Sequence, residues 1–239
     1  MAINDIADRR VRERRFFLIA AILFPLLTVA GFAQTYYFKE FFNVPPVQTM
    51  LVHLHGFVMT AWVALFVTQI WLVRSKNVKL HMKLGIGGVV LAMLVVVIGL
   101  ATAISSAARG GGVPGIPPLT FLIVPLGDMF VFIILFGAAI YYRKRPADHK
   151  RLMLLTAFNF LPPAVARLPF DFIAAVGPLW FYGFPDLLAL IAFSYDTWNN
   201  GKVNKAFALG LALIIISQPL RLWFGGTETW LQFAAWITG

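Results

Sequence analysis

The chain has 239 residues, 60% of them hydrophobic and only 13% charged, a balance that excludes a soluble globular domain and requires an integral membrane protein. A formal charge of +10 would suit nucleic acid if the basic residues shared one solvated domain. They sit instead in short segments between apolar runs, so the expected partner is the lipid bilayer and not nucleic acid. With no cysteine, disulfides, thiolate metal sites and cysteine nucleophiles are excluded, and histidine, carboxylates, arginine and aromatics must carry any chemistry.

The polar, arginine-rich start Met1 to Arg15 leads into a first apolar run over residues 16–38, with Pro25 as an expected kink. A basic start before an apolar run also resembles a signal peptide. This run, however, exceeds the usual apolar core of one and ends in Tyr36-Tyr37, an interfacial pair, so it reads as a span. Lys39 to Pro46 is then an outer loop.

The second span, residues 51–73, opens with His53 and His55. Stepping by three or four residues from His55 gives Met59, Trp62, Phe66, Gln69 and Val73, one stripe that should face other helices. A basic turn with Arg74, Lys76 and Lys79 precedes the third span, residues 80–107, whose glycines and β-branched residues suit close packing in lipid. Arg109 to Pro118, RGGGVPGIPP, cannot continue a helix and forms a second outer loop.

The fourth span covers residues 119–142 and the fifth residues 149–168, with Pro162-Pro163 kinking its outer half. A connection containing Asp171 leads to a sixth span at 179–198, and Asn199 to Lys202 turns the chain into a seventh at 203–224. The tail 227–236, with Trp230, Phe233 and Trp236, is expected to form an interfacial helix. The tryptophans mostly fall near span ends, where belt anchoring explains them.

These boundaries define an all-α, polytopic membrane protein, a seven-transmembrane-helix bundle forming a single domain. They put sixteen of the lysines and arginines on the side of the N-terminus and leave only Lys39, Arg109, Arg167 and Arg221 on the other. By the positive-inside rule the N-terminus is cytoplasmic and the C-terminus outside. The joints between spans two and three, LVRSKNVKLHMKL, and four and five, YYRKRPADHKRLM, share a basic turn followed by a histidine. A duplicated hairpin and a coincidence of basic turns both account for that likeness.

Ionisable residues within spans are costly in lipid unless paired or solvated, and are functional candidates for that reason. Depth counting places His55, Asp128, Arg167, Asp186, Gln218 and Arg221 together at the outer side, with Asn159 deeper. Two readings follow. The arginines pair with the aspartates as interhelical struts, or the group forms an outward-facing polar pocket in which arginines hold an anionic or carbonyl-bearing ligand while His55 and an aspartate handle a proton. His53 and His55 with an aspartate would make a divalent metal site only if the helix start were unwound, since residues two apart diverge on a helix. His81 and His149 match in depth at the basic ends of spans three and five, where they would ligate a haem or serve a structural role. Span seven has no lysine past Lys205 at its basic start to form a Schiff base, and a phosphate-binding loop and a nucleophile elbow are absent from the sequence.

One further set of motifs covers spans two to five: His53 or His55 opening a span, Leu80-His81-Met82-Lys83-Leu84-Gly85, His149-Lys150-Arg151-Leu152-Met153 and Ala164-Val165-Ala166-Arg167. In these the chain resembles a group of uncharacterised bacterial multi-pass membrane proteins, a domain-of-unknown-function family. The resemblance implies a bacterial inner membrane and marks His55, His81, His149 and Arg167 without giving them roles. The expected function is an accessory one, binding a small, lipid-like, quinone or haem ligand at the outer pocket. The alternatives are a membrane enzyme, either a haem redox protein or a metal-dependent lipid hydrolase, and a small-molecule transporter.

Overall fold

The computed structural model describes residues 2–44, 49–113 and 115–239, and every regular element among them is helical. The expected outer loops Lys39 to Pro46 and Arg109 to Pro118 therefore lie partly outside the described residues, at 45–46 and 114. Helix α1 runs Ala2–Phe32 and continues as a π turn at Ala33–Tyr37, with Pro25 inside it. Helices α2 (Met50–Arg74) and α3 (Val78–Ala108) form a hairpin, each capped by a polar side chain at its start. Thr49 accepts from Val52 N at 3.4 Å and Asn77 from Leu80 N at 3.2 Å, which satisfies backbone donors the helix itself leaves free. Helix α4 (Pro118–Tyr141) starts on a proline, which costs nothing at a first helical position.

Five helices are long and apolar enough to cross a membrane: Val11–Tyr37, Met50–Arg74, Val78–Ala108, Pro118–Lys144 and Lys205–Phe224. Their outer faces carry apolar side chains where a soluble protein would carry charge. On α3, Ile86, Val90, Met93 and Val97 recur at four- and three-residue steps and are 72%, 57%, 61% and 63% exposed, a stripe that suits a lipid surround. The protein is a multi-pass α-helical membrane protein.

Two of the seven expected spans take a different form. The fifth does not run to residue 168. Helix α5 (Pro146–Asn159) ends early and a separate turn, α6 (Pro162–Val165), follows. Pro162 and Pro163 have no N–H for the carbonyls of Phe158 and Asn159, so the expected kink is a break, and Phe158 O accepts from Leu161 N at 3.1 Å instead. At ~1.5 Å per residue α5 is about 21 Å long, short of a bilayer core. It is instead the centre of the bundle, packed against α1, α4, α9 and α10, with Arg151, Thr156 and Asn159 buried beside Leu152, Leu154 and Leu155. A helix walled by protein need not be apolar.

The sixth expected span begins later than residue 179. Single turns α7 (Phe172–Val176) and α8 (Pro178–Phe181) precede α9 (Gly183–Asn200), separated by Gly177 at φ 55°, a backbone conformation that favours glycine. Helix α10 (Lys205–Phe224) starts at Asn204, which accepts from Phe207 N at 2.8 Å. The expected tail helix is present as α11 (Glu228–Thr238), with Phe233 and Trp236 exposed on one face. It packs on α3 and α4, burying Trp230 and Ala234, and Trp230 Nε1 donates to Leu119 O at 2.8 Å. Trp62 also departs from the belt pattern: it is a core residue, 2% exposed, edge-on to Phe132. It lies on the stripe that His55 begins, of which Trp62 and Phe66 are buried, Met59 and Gln69 half-buried and Val73 exposed.

Candidate functional site

Four of the residues expected at the outer side meet in one buried cluster: Asp128 from α4, Asp186 from α9, and Gln218 and Arg221 from α10. Gln218 and Arg221 share a helix face at three-residue spacing, so α10 presents both inward. Arg221 Nη1 donates to Asp128 Oδ1 at 2.5 Å and to Val124 O at 3.1 Å, Nε donates to Ser217 O at 3.1 Å, and Nη2 to Ser217 Oγ at 3.0 Å. The guanidinium also lies 5.8 Å from the ring centre of Tyr182. Glycine makes this reach possible. A Cβ at Gly127 would stand 2.0 Å from Arg221 Cδ, so any side chain there would drive the arginine off its aspartate.

The second carboxylate is held differently. Asp186 Oδ1 accepts from Gln218 Nε2 at 2.9 Å, an amide that carries no charge, and Asp186 is only half-buried. Asn159 at the end of α5 donates to Asp128 O at 3.0 Å and ties the helix break to the cluster. Two aspartates thus face one arginine. Three buried polar side-chain atoms lack a hydrogen-bond partner among the described residues, Trp62 Nε1, Thr197 Oγ1 and Tyr182 Oη, and of these Tyr182 lies within electrostatic reach of Asp128, Arg221 and Asp186. The side chains close on one another and leave no open space of water size, so the expected outward cleft is closed in this structure.

His55 and Arg167 stand apart from that cluster and together. Arg167 follows the break at Pro162, which directs α6 towards α1. Its guanidinium lies over the Phe32 ring at 4.9 Å, and Nη1 donates to Pro163 O at 2.7 Å. Half-buried His55 is within electrostatic reach of Arg167. His53 is exposed on another face, where Tyr36 Oη donates to its carbonyl at 3.2 Å and the two rings lie 6.2 Å apart. Among the described residues no three histidines, aspartates or glutamates converge as metal ligands, so the metal centre considered at His53 and His55 is not assembled.

At the basic end, His81 and His149 do meet, with ring centres 6.4 Å apart and planes at 82°. His149 Nδ1 and Ala139 O are 2.8 Å apart, and the Gln69 amide reaches His81 Nδ1 at 2.6 Å once its oxygen and nitrogen are exchanged. His149 Nδ1 is thus the donor and its Nε2 an acceptor, while His81 Nδ1 accepts and its Nε2 carries the proton.

Sequence reasoning missed the strongest ion pair of this end. Arg151 donates to both oxygens of Asp196 from Nε and Nη2, each at 2.7 Å, and to Ala147 O at 2.5 Å. Asn200 Nδ2 donates to Asp196 Oδ1 at 3.1 Å, and Glu13 on α1 lies 2.5 Å from Lys150 and 3.5 Å from Arg151. The array joins α1, α5 and α9. No family model, curated protein or solved structure matches the chain.

Proposed function

We propose that the protein is a seven-span bacterial inner-membrane protein, N-terminus cytoplasmic, that binds a small carbonyl-bearing ligand of the quinone type at the outer cluster as an accessory to a respiratory or envelope system. The segregation of basic residues to one side supports the orientation, with α5–α6 and α9 completing the seven crossings inside the bundle. The observation that carries the ligand reading is the Tyr182 hydroxyl. Among the described residues it is buried without a hydrogen-bond partner, next to a carboxylate held only by a neutral amide. Leaving such a group unmatched costs ~1–3 kcal/mol, a cost that a ligand carbonyl would remove by accepting its hydrogen bond.

In this reading the Tyr182 hydroxyl donates to the ligand carbonyl, Gln218 orients the Asp186 carboxylate beside it, and Arg221, fixed by Asp128, supplies positive potential. Solvent extraction of the gently purified protein, analysed by mass spectrometry, tests the proposal. A quinone or related carbonyl compound is expected from the wild type and not from Tyr182→Phe or Asp186→Asn; equal recovery from all three would refute it.

A second reading, a membrane haem protein, is favoured by the histidine pair. Two metal–nitrogen bonds of ~2.0 Å and the two ring radii require ring centres about 6 Å apart, close to the separation of His81 and His149. The His149 bond to Ala139 O is of the kind that orients a ligating histidine with Nε2 free, whereas ligation by His81 requires the Gln69 amide to turn its oxygen towards Nδ1 so that the ring proton leaves Nε2. A Soret band that shifts on reduction and is lost in His81→Ala and His149→Ala supports this reading; a spectrum blank in both redox states removes it.

A further inference from the structure

An open groove lies away from the outer cluster, at the basic end between α4 and α10, with a volume of about 700 Å³. We infer that it holds the phosphate headgroup and the start of one acyl chain of an anionic phospholipid. Its wall is apolar: Ile134, Leu135 and Ala138 from α4 face Leu209 and Leu213 from α10. Leu209 is 72% exposed and Ile134 40%, so the groove is open along its lipid-facing side. From Tyr142 to Ile134 on one wall, and from Lys205 to Leu213 on the other, it runs about 12 Å into the apolar layer at ~1.5 Å per residue, a depth that suits a glycerol backbone and upper acyl chain.

The mouth of this groove is cationic. Arg145, Lys202 and Lys205 line it, all exposed, and none forms an ion pair among the described residues. Arg145 lies instead over the Tyr142 ring at 5.4 Å. Of the two charges deeper in the mouth, Arg151 is paired with Asp196, while Asp148, bonded to the neutral Asn204 amide at 2.7 Å, keeps its charge and offsets one of the three rim cations, so the mouth stays cationic. A cationic rim above an apolar trough complements a phosphodiester carried on an acyl chain. Neither a free phosphate nor an uncharged lipid satisfies both halves. Close packing shapes the floor, since a Cβ at Gly210 would stand 2.5 Å from Leu155 Cδ1.

The test uses the full chain in nanodiscs of phosphatidylcholine doped with phosphatidylglycerol, with bound lipid measured by native mass spectrometry after release. The wild type should retain phosphatidylglycerol in preference to phosphatidylcholine. Lys202→Glu/Lys205→Glu should lower that preference by about tenfold or more. Ala206→Trp, which fills the groove and leaves the rim charges in place, should lose retention of the lipid. Thermal unfolding near the wild-type midpoint confirms that each variant is folded, and Lys202→Gln/Lys205→Gln replaces the charge reversal if that variant fails to fold. Undiminished retention in either folded variant would overturn the inference, as would glycerol phosphate competing as well as the intact lipid, since the apolar wall would then contribute nothing.

Discussion

The two buried arginine–aspartate pairs lie at opposite ends of the bundle and are built differently. At the basic end Arg151 grips both oxygens of Asp196, and Asn200 and Glu13 complete the array. At the outer end Arg221 touches one oxygen of Asp128, whose other oxygen accepts no hydrogen bond among the described residues, and a second aspartate and an unpartnered tyrosine lie alongside. A two-pronged pair with its spare valences filled is a strut. A one-pronged pair beside unmet polar groups leaves hydrogen bonds unmade, and the proposed ligand would make them.

The largest effect expected from this contrast is at the strut. Arg151→Ala leaves the Asp196 carboxylate buried without its cation and should cost ~3–5 kcal/mol in the unfolding of detergent-solubilised protein. A cost below ~1 kcal/mol, the range of exposed ion pairs, would erase the difference between the two ends. Asp128→Asn should cost less, ~1–3 kcal/mol, because Arg221 keeps its bonds to Val124 O and to Ser217. Gly127→Ala acts on that same contact by steric displacement of Arg221, at ~1–3 kcal/mol. Combined with Asp128→Asn it should add less than the sum of the two single costs, as expected of residues acting through one contact; full additivity would separate the glycine from the pair. The smallest effect on stability is at Tyr182→Phe, which removes an unsatisfied hydroxyl and should leave ligand-free protein unchanged or up to ~1 kcal/mol more stable.

Five long helices were legible because each is a continuous apolar run, and lipid demands such a run of any helix it surrounds. The fifth expected span misled because α5 is surrounded by protein. Its Arg151, Thr156 and Asn159 are matched by neighbouring helices, and the proline pair that ends it signals a bend and a break alike.

Counting depth brought Asp128, Asp186, Gln218 and Arg221 to one level, and the structure gathers those four. Arg167 has nearly the same depth, yet the break at Phe160 and Leu161 alters the rotation of everything that follows, a quantity that residue counting does not contain. Arg151 was hidden by its place in a basic turn, where an arginine reads as an orientation charge. Its partner Asp196, in the last turns of α9, was the available signal, since a carboxylate so close to a basic end needs a cation. Tyr182 was missed because an aromatic residue at the start of an expected span reads as an interfacial anchor.

The most direct test of the outer cluster as a binding site is the thermal shift that a water-soluble short-chain quinone produces in wild type and in Tyr182→Phe. The account predicts a concentration-dependent rise in the unfolding midpoint of the wild type, as for any ligand that binds only the folded state, and a strongly reduced rise in the variant. Equal shifts in the two proteins, or none in either, would contradict it and leave the outer pair a strut like the one at the basic end.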